Sequence, residues 1–423
     1  MKKRGLIFII LVLIFPITAR AEEVSLTLPE VLTIALRDSK SVLLKAEEIS
    51  KAKAKIKESQ SGFWPSITLG GSQTERQGLY ANDFDQTNVQ IGLKQYLYRG
   101  GLTINSVELN QYQLQVAEAS LDATKLTLAL TVSKTFYTLL LSGKFADLNA
   151  AILANSELRL SSVETRYNGG HVSDLELLKA KEAIANVESA LKDSQGQVEA
   201  LSALLNNLLA LERTVEVDVE GEFAYEPKDM AIEESFLLAL EERPEIKQYE
   251  AQTNAAKEGV ELAKANGRPT VYASWDYYSS SHLATGAENW NDYNIYGVTV
   301  SWPIFDGWAT KAKLDQAITD VKTAQLLQEK LVQDIALELK NAYVEMKNAI
   351  AQVRKSETAL STFTKDLEEI KDKTAKGIAS HLDLEDAKLS YKIALFNKDQ
   401  AVYNYLIAQN AFDKASGAFE NQQ

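Results

Sequence analysis

The chain is written twice, and that duplication constrains its fold more than any other feature. Pro65 in FWPSITLG matches Pro269 in NGRPTVYAS, 204 positions later, and EVLTIAL (30–36) matches ESFLLAL (234–240) at the same offset. YRGG (98–101) matches FDGW (305–308) at an offset of 207, and Gly170 matches Gly377 at 207 again. The spacing between these last two landmarks is therefore identical in both copies. The three-residue change lies between the proline and the glycine turn. Solenoid repeats run to some 20–50 residues, so a period of this size reads as a duplicated domain-scale element, with copies over 22–220 and 221–423.

Within each copy the apolar pattern is helical and unusually long. Ile335, Leu339, Ala342, Met346, Ala349, Val353, Ser356, Leu360, Phe363, Leu367 and Ile370 alternate by four and three. A period of 3.5 residues predicts left-handed supercoiling. The first copy keeps the phase through Leu128, Val132, Thr135, Leu139, Ser142 and Ala146 with smaller, more polar residues. Such a seam suits a helix wall with neighbours on two sides. From Gly101 to about Tyr167 the pattern spans roughly 100 Å at 1.5 Å per residue, a length few globular domains contain. After a glycine turn a returning helix is expected over 173–211, giving a hairpin over about 101–211. VEVDVEGEF, a short helix near 230–242 and a helix opened by Pro244 follow. The second hairpin spans about 308–416, and residues 39–62 supply the upper part of its return path.

Between the helices lie four alternating segments. PSITLGGSQ and NVQIGLKQYLY flank a polar loop around 76–88, and PTVYASWDYYS and NIYGVTVSWPIF flank another around 280–293. They give strand pairs at about 65–99 and 269–306. Tyr296, Val298, Val300 and Trp302 fall on one side, while Tyr272, Ser274 and Asp276 fall opposite Val271, Ala273 and Trp275. About ten alternating residues with aromatics near the ends match a membrane strand. They match an ordinary half-buried strand as well. No other sheet is available to cover them, which favours the membrane. Four strands cannot close a barrel, and an open edge is not viable in lipid. Inserted strands would have to be shared between chains, and three copies give about twelve strands, an even number within the known range.

Composition narrows the compartment and the chemistry. Lys2, Lys3 and Arg4, an apolar run from Leu6 to Ile17 and Ala19-Arg20-Ala21 describe a signal peptide over 1–21. No later run is long and apolar enough to predict a spanning helix. Cysteine is absent, which excludes disulfides and thiolate metal sites. The formal charge is −13, and losing the four basic residues of the signal takes it to −17. That balance disfavours nucleic acid and is compatible with a cation-preferring pore. No phosphate loop, G-x-S-x-G, H-E-x-x-H or cofactor motif is present, so no enzyme activity and no cofactor are expected.

Signal, duplication, paired strand hairpins and very long coiled helices together resemble the TolC-type outer-membrane efflux and secretion channels, over essentially the whole mature chain. F-x-x-P-like switches at Trp64-Pro65 and Arg268-Pro269, and W-x-x-F-D-G at 302–307, carry the resemblance at residue level. It implies a mainly α fold with a membrane β-barrel. Long helical hairpins would form a periplasmic α-barrel, and four strands per chain would contribute to a shared 12-stranded barrel in a homotrimer. It implies an exit duct in outer-membrane lipid, extending into the periplasm. Its partners would be a periplasmic adaptor and an inner-membrane transporter. The competing expectation is a soluble periplasmic coiled-coil adaptor or scaffold without a pore, but adaptors carry one helical hairpin per chain.

By the resemblance, the two glycine turns are hairpin tips that meet the adaptor: Gly170, His171, Val172 and Ser173 in the first, Gly377, Ile378, Ala379 and Ser380 in the second. Family acids lining the periplasmic constriction correspond to Asp383 and Asp386, and Glu176 is the repeat mate of Asp383. The family's latching basic residue has no counterpart near Ile378 and Ala379. The residues themselves offer another reason for two of these acids. Ser173 with Glu176, and Ser380 with Asp383, fit the reciprocal capping box. His171 and His381 read as solvated tip residues. Trp64, Trp302 and Trp308 either anchor at the inner membrane interface or pack at the helix-to-strand junctions.

Overall fold

The computed structural model describes residues 23–76, 84–211, 216–228, 231–283 and 289–418. The signal segment expected over 1–21 lies outside them. The order is β1 (Glu23–Leu26), α1 (Leu28–Asp38), α2 (Lys40–Gln60), β2 (Ser66–Arg76), β3 (Phe84–Arg99), α3 (Leu102–Asn168) and α4 (Asp174–Leu209). Then follow β4 (Glu216–Val219), α5 (Ile232–Glu242), α6 (Pro244–Ala265), β5 (Thr270–Leu283), β6 (Asn289–Ser301), α7 (Ala309–Ala375) and α8 (His381–Ala415). The duplication is visible in the starts. Helices α1 and α5 begin 204 residues apart, while α3 and α7, and α4 and α8, begin 207 apart.

Two compact units form, each drawing on both repeats. One comprises the chain through Ser39, Thr131–Ala224 and Val353–Tyr403. The other comprises Lys40–Leu130, Tyr225–Gln352 and Asn404–Gln423.

The second unit holds the four-stranded antiparallel sheet, ordered β2-β3-β5-β6. Register fixes its faces, because directly paired residues share one. Ile67, Leu93, Trp275 and Tyr296 are paired across all four strands, and the row Leu69, Ile91 and Tyr277 lies on the same side. The other face carries Ser66, Lys94 and Ser274, then Thr68, Gly92 and Asp276. A Cβ at Gly92 would stand 2.7 Å from Asp276 Oδ1, so a larger residue there would push that carboxylate aside. Gln90 bridges this face, donating to Asp276 and Tyr278 at 3.0 and 2.9 Å. The apolar face is bare, with Ile67 and Leu69 71% and 78% exposed. The strands have 11, 16, 14 and 13 residues, longer than the expected ten. Their far ends are rich in Ser, Asn, Asp and Gln and still pair main chain to main chain.

The helical seam follows its 3.5-residue spacing. In α7, Ile335, Leu339 and Met346 are at most 1% exposed, each worth about 1.5–3 kcal/mol of burial. Farther along, Val353 and Ser356 are buried, but Phe363 is exposed. Helix α3 buries two lines rather than one: Leu128, Val132, Thr135 and Leu139, and beside them Leu126, Ala129, Ser133 and Phe136. In this seam Thr135 Oγ1 is satisfied locally, donating to Thr131 O at 2.9 Å. Phe136 stacks edge-on with Tyr137, which faces Phe223. One 18-residue window of α3 reaches a mean hydropathy of 1.2 and is half buried, as a core helix would be.

Short elements close each unit. β1 pairs in parallel with β4, and Glu220 N donates to Leu26 O at 3.0 Å. Helix α1 opens on a capping box between Thr27 and Glu30. In the second unit Arg243, 3% exposed, reaches Glu245 at 3.0 Å and Glu338 at 2.7 Å, while Lys414 joins Glu338 at 3.3 Å. Burial pushes the Glu245 carboxyl upward. Hydrogen bonds and charge from Arg243, with Lys414 beyond, more than offset this and hold it below the ordinary carboxylate value.

Candidate functional site

The first unit contains both hairpin turns, and each is a Schellman stop followed by a serine start. Gly170 and Gly377 have φ of +74° and +72°, the left-handed region an L side chain resists. Gly170 N donates to Tyr167 O and His171 N to Arg166 O, both at 2.9 Å. Gly377 N and Ile378 N repeat the pattern onto Thr374 O and Lys373 O. These bonds satisfy carbonyls that the helix end leaves unpaired. The following helices begin at once.

The two starts differ. Ser380 and Asp383 form the full reciprocal box: Asp383 N donates to Ser380 Oγ at 3.2 Å, and Ser380 N donates to Asp383 Oδ2 at 2.9 Å. The Ser380 hydroxyl and backbone N–H hold the Asp383 carboxyl below its ordinary range. In the first turn only half the box exists, with Glu176 N donating to Ser173 Oγ at 3.3 Å. The expected return bond from Glu176 is replaced by an ion pair with Arg166 at 3.9 Å. Glu30 closes its box with Thr27, so the difference at Glu176 lies with Arg166, whose guanidinium stands across this turn. Tyr167 and Asp174 also hydrogen-bond across this turn, which raises the Tyr167 phenol.

Asp386 sits one turn after Asp383, on the same side of α8. It is held across to α3: Arg159 Nη2 stands 2.7 Å from Oδ2, and Asn155 Nδ2 donates to Oδ1 at 3.0 Å. Arg159 Nε in turn donates to Asn155 Oδ1 at 3.1 Å. Asp386 is therefore neutralised between two helices rather than left free. Sequence reading missed Arg159 and Asn155, since their partner lies over 220 positions away. Their four-residue spacing on one helix face was the only available signal. At the turns themselves His171, Ser173, Ser380 and Ile378 are exposed, Ile378 by 73%, and Val172 and Ala379 are half-buried. Leu175 and Leu178 are also 60% and 64% exposed, so the first turn carries apolar surface just past its serine.

In the second unit the three tryptophans stand at the ends of the sheet. Trp64, Trp302 and Trp308 are 74%, 63% and 68% exposed. Trp302 Nε1 donates to Gly267 O at 3.2 Å, and Trp308 meets Phe305 edge-on. Trp308 has φ +71°, where its repeat mate is Gly101. Among the described residues no group of three His, Asp or Glu stands close enough to hold a metal ion. The geometry offers capped turns, an amphipathic sheet and long helices.

The model of the outer membrane efflux protein family matches residues 31–211 and 237–418, the two repeats in turn. The chain belongs to that family. Its sequence is 25% identical over 177 residues to the alkaline protease secretion protein AprF of Pseudomonas aeruginosa, covering 40% of this chain and 36% of AprF. Its fold is similar to the CmeC outer membrane channel of Campylobacter jejuni, with TM-score 0.75, 15% identity and coverage of 93% and 86% of the two chains. It is equally similar to the open state of the MtrE outer membrane channel of Neisseria gonorrhoeae, with TM-score 0.74, 17% identity and coverage of 93% and 89%. As an outer membrane efflux protein the chain is a component of the outer membrane extending into the periplasm, an exit channel and not an enzyme.

Proposed function

We propose that this outer membrane efflux protein is the passive exit duct of a tripartite efflux or type I secretion system, active as a homotrimer. The observation that carries the reading is the sheet. Its four strands bear a bare apolar face and a hydrogen-bonded polar face, and both edge strands, β2 and β6, lack partners in the described chain. Lipid tolerates neither open edges nor unpaired main chain, so copies must pair edge to edge. Three close a ring of about twelve strands. Energy comes from an inner-membrane transporter, joined through a periplasmic adaptor that docks on the hairpin turns at Gly170–Ser173 and Gly377–Ser380. Trp64, Trp302 and Trp308 anchor the inner membrane interface.

At the periplasmic mouth the acids are Asp383, Asp386 and Glu176, of which Asp386 is held by Arg159 until that pair opens. The Arg159–Asp386 pair ties the two hairpins of one chain together there, and its release accompanies widening of the mouth. AprF is by its name a secretion protein, which favours protein cargo as one option beside small-molecule efflux. The test is fractionation with unheated gel electrophoresis. A heat-sensitive trimer in outer membranes is expected. Recovery as a soluble periplasmic monomer would overturn the reading in favour of a scaffold without a pore.

A further inference from the structure

The two 67-residue helices, α3 and α7, begin on equivalent turns, but only one turn carries an acid. Ahead of α7 stands Asp306. Thr310 N and Thr310 Oγ1 both donate to its Oδ2, at 2.8 and 2.6 Å. A carboxylate there satisfies two donors and suits the positive end of the helix. In the first repeat, 207 positions earlier, Thr103 matches Thr310 and Arg99 matches Asp306. The threonine is kept and the acid has become a cation. Thr103 is 8% exposed, and its Oγ1 finds no hydrogen-bond partner among the described residues. The first bond inside α3 runs from Asn105 N to Gly101 O. The Thr103 N–H lies ahead of that bond, among the donors a helix start leaves free. Among the described residues no carboxylate pairs with Arg99, whose Cζ lies 4.4 Å over the Tyr96 ring.

Arg99 and Thr103 line one cleft of about 470 Å³ between the end of α2 and the start of α3. That volume is in the range of small-molecule sites. Lys55 brings a second cation to its wall and Glu58 the one acid. Gly62 keeps the space open. A Cβ there would stand 2.9 Å from Thr103 Oγ1 and 3.2 Å from Arg99 Nη1, so hydroxyl and guanidinium converge beside it. Gly62 is not among the glycines with positive φ, so it is room, not backbone conformation, that its missing side chain provides. A smaller apolar cleft lined by Phe63, Leu97, Tyr98 and Ile104 shares Gly62, Arg99 and Thr103 with the polar one.

We propose that the polar cleft binds a phosphate group, which gives Thr103 the oxygen that Asp306 gives Thr310. Its oxygens accept from Thr103 Oγ1, from the N–H groups opening α3 and from Arg99. Two local misfits then have one cause. A buried hydroxyl without a partner is costly, and a cation before a helix start opposes the helix dipole. A bound anion satisfies the first and pairs with the second. The phosphate can be free in solution or belong to a phospholipid headgroup whose chains lie along the apolar cleft. The lipid source rests on the membrane reading above; the anion site does not.

Isothermal titration of the purified full-length protein in non-ionic detergent tests this, with inorganic phosphate and, separately, dihexanoyl phosphatidylglycerol as probes. The wild type should bind, and bound probe should raise its Tm. Arg99→Asp gives the first repeat the carboxylate of the second, so it should fold and bind at least about tenfold more weakly. Thr103→Val should weaken binding too, yet leave the protein without probe no less stable, because its hydroxyl is unpaired there. Gly62→Ala should act by filling the space, while Asp306→Asn should leave binding unchanged. Lipid bound at least about tenfold tighter than phosphate assigns the headgroup, and a smaller difference assigns free phosphate. Wild type that binds neither probe, or binding undiminished in Arg99→Asp or in Thr103→Val, overturns the site. Protein recovered soluble from the periplasm that still binds phosphate overturns the membrane reading and leaves the site standing.

Discussion

Replacing Arg243 by alanine strips the charge from the best-enclosed ion pair among the described residues. The Arg243 side chain is 4% exposed, Glu245 20% and Glu338 38%. Removing one member of a buried pair costs roughly 3–5 kcal/mol, mostly from the charge left behind. Glu338 keeps water and Lys414 at 3.3 Å, so its share must be discounted, and about 2–4 kcal/mol is expected for Arg243→Ala. The pH dependence follows from Glu245, whose folded pKa lies below the ordinary carboxylate value because Arg243 bonds and faces it. Its contribution is fully present above that unfolded value and is lost as pH falls through the folded one. The gap between wild type and variant should therefore be widest near pH 7 and narrow in acid, as pH falls through the folded value of Glu245. Urea titration of the detergent-solubilised protein, followed by far-UV circular dichroism, measures it. Adding Glu245→Gln to Arg243→Ala should recover part of the loss, since the more buried stranded charge is gone. A variant within about 0.5 kcal/mol of wild type, or a gap unchanged in acid, would refute the reasoning.

Four further outcomes are expected. A double-mutant cycle over Arg159→Ala and Asp386→Ala should give a coupling of about 1 kcal/mol per chain, modest because both side chains keep contact with water. Asp386→Ala should also alter conductance or cation preference in planar bilayers, and unchanged currents for it and for Asp383→Ala would remove both from the pore. Gly377→Val, forced to φ near +72°, should destabilise the second turn by about 1–2 kcal/mol and expose it to limited proteolysis; equal protease resistance would refute the conformational argument. Ile378→Asp should leave trimer and membrane insertion intact while abolishing co-purification with the adaptor. Undiminished capture would move docking away from this turn.

Much of this fold could be read from the chain because its determinants are local and repeated. The 3.5-residue seam through Ile335, Leu339 and Met346 is a property of one helix, and so are the glycine stop and serine start at each turn. The strand faces followed from alternation alone. What stayed hidden depends on distant partners. The parallel pairing of β1 with β4 joins residues nearly 200 positions apart through four-residue strands, too short to leave a pattern. Arg243 has Ser39 as its repeat mate, so the duplication offered no warning of a buried guanidinium. The partners of Asp386 are hidden for the same reason, because nothing near it in sequence announces Arg159 and Asn155. The unequal boxes at Glu176 and Asp383 turn on a nearby Arg166. Trp308 could have been flagged, since it aligns with Gly101 at a turn that needs positive φ.

The central claim is that several copies of this chain close one water-filled path through the outer membrane. Single-channel recording of the purified protein in a planar lipid bilayer tests it most directly. The account predicts discrete, long-lived current steps with a preference for cations, lost when the sample is heated until the trimer dissociates. A bilayer that stays silent with folded, trimeric protein present would contradict it.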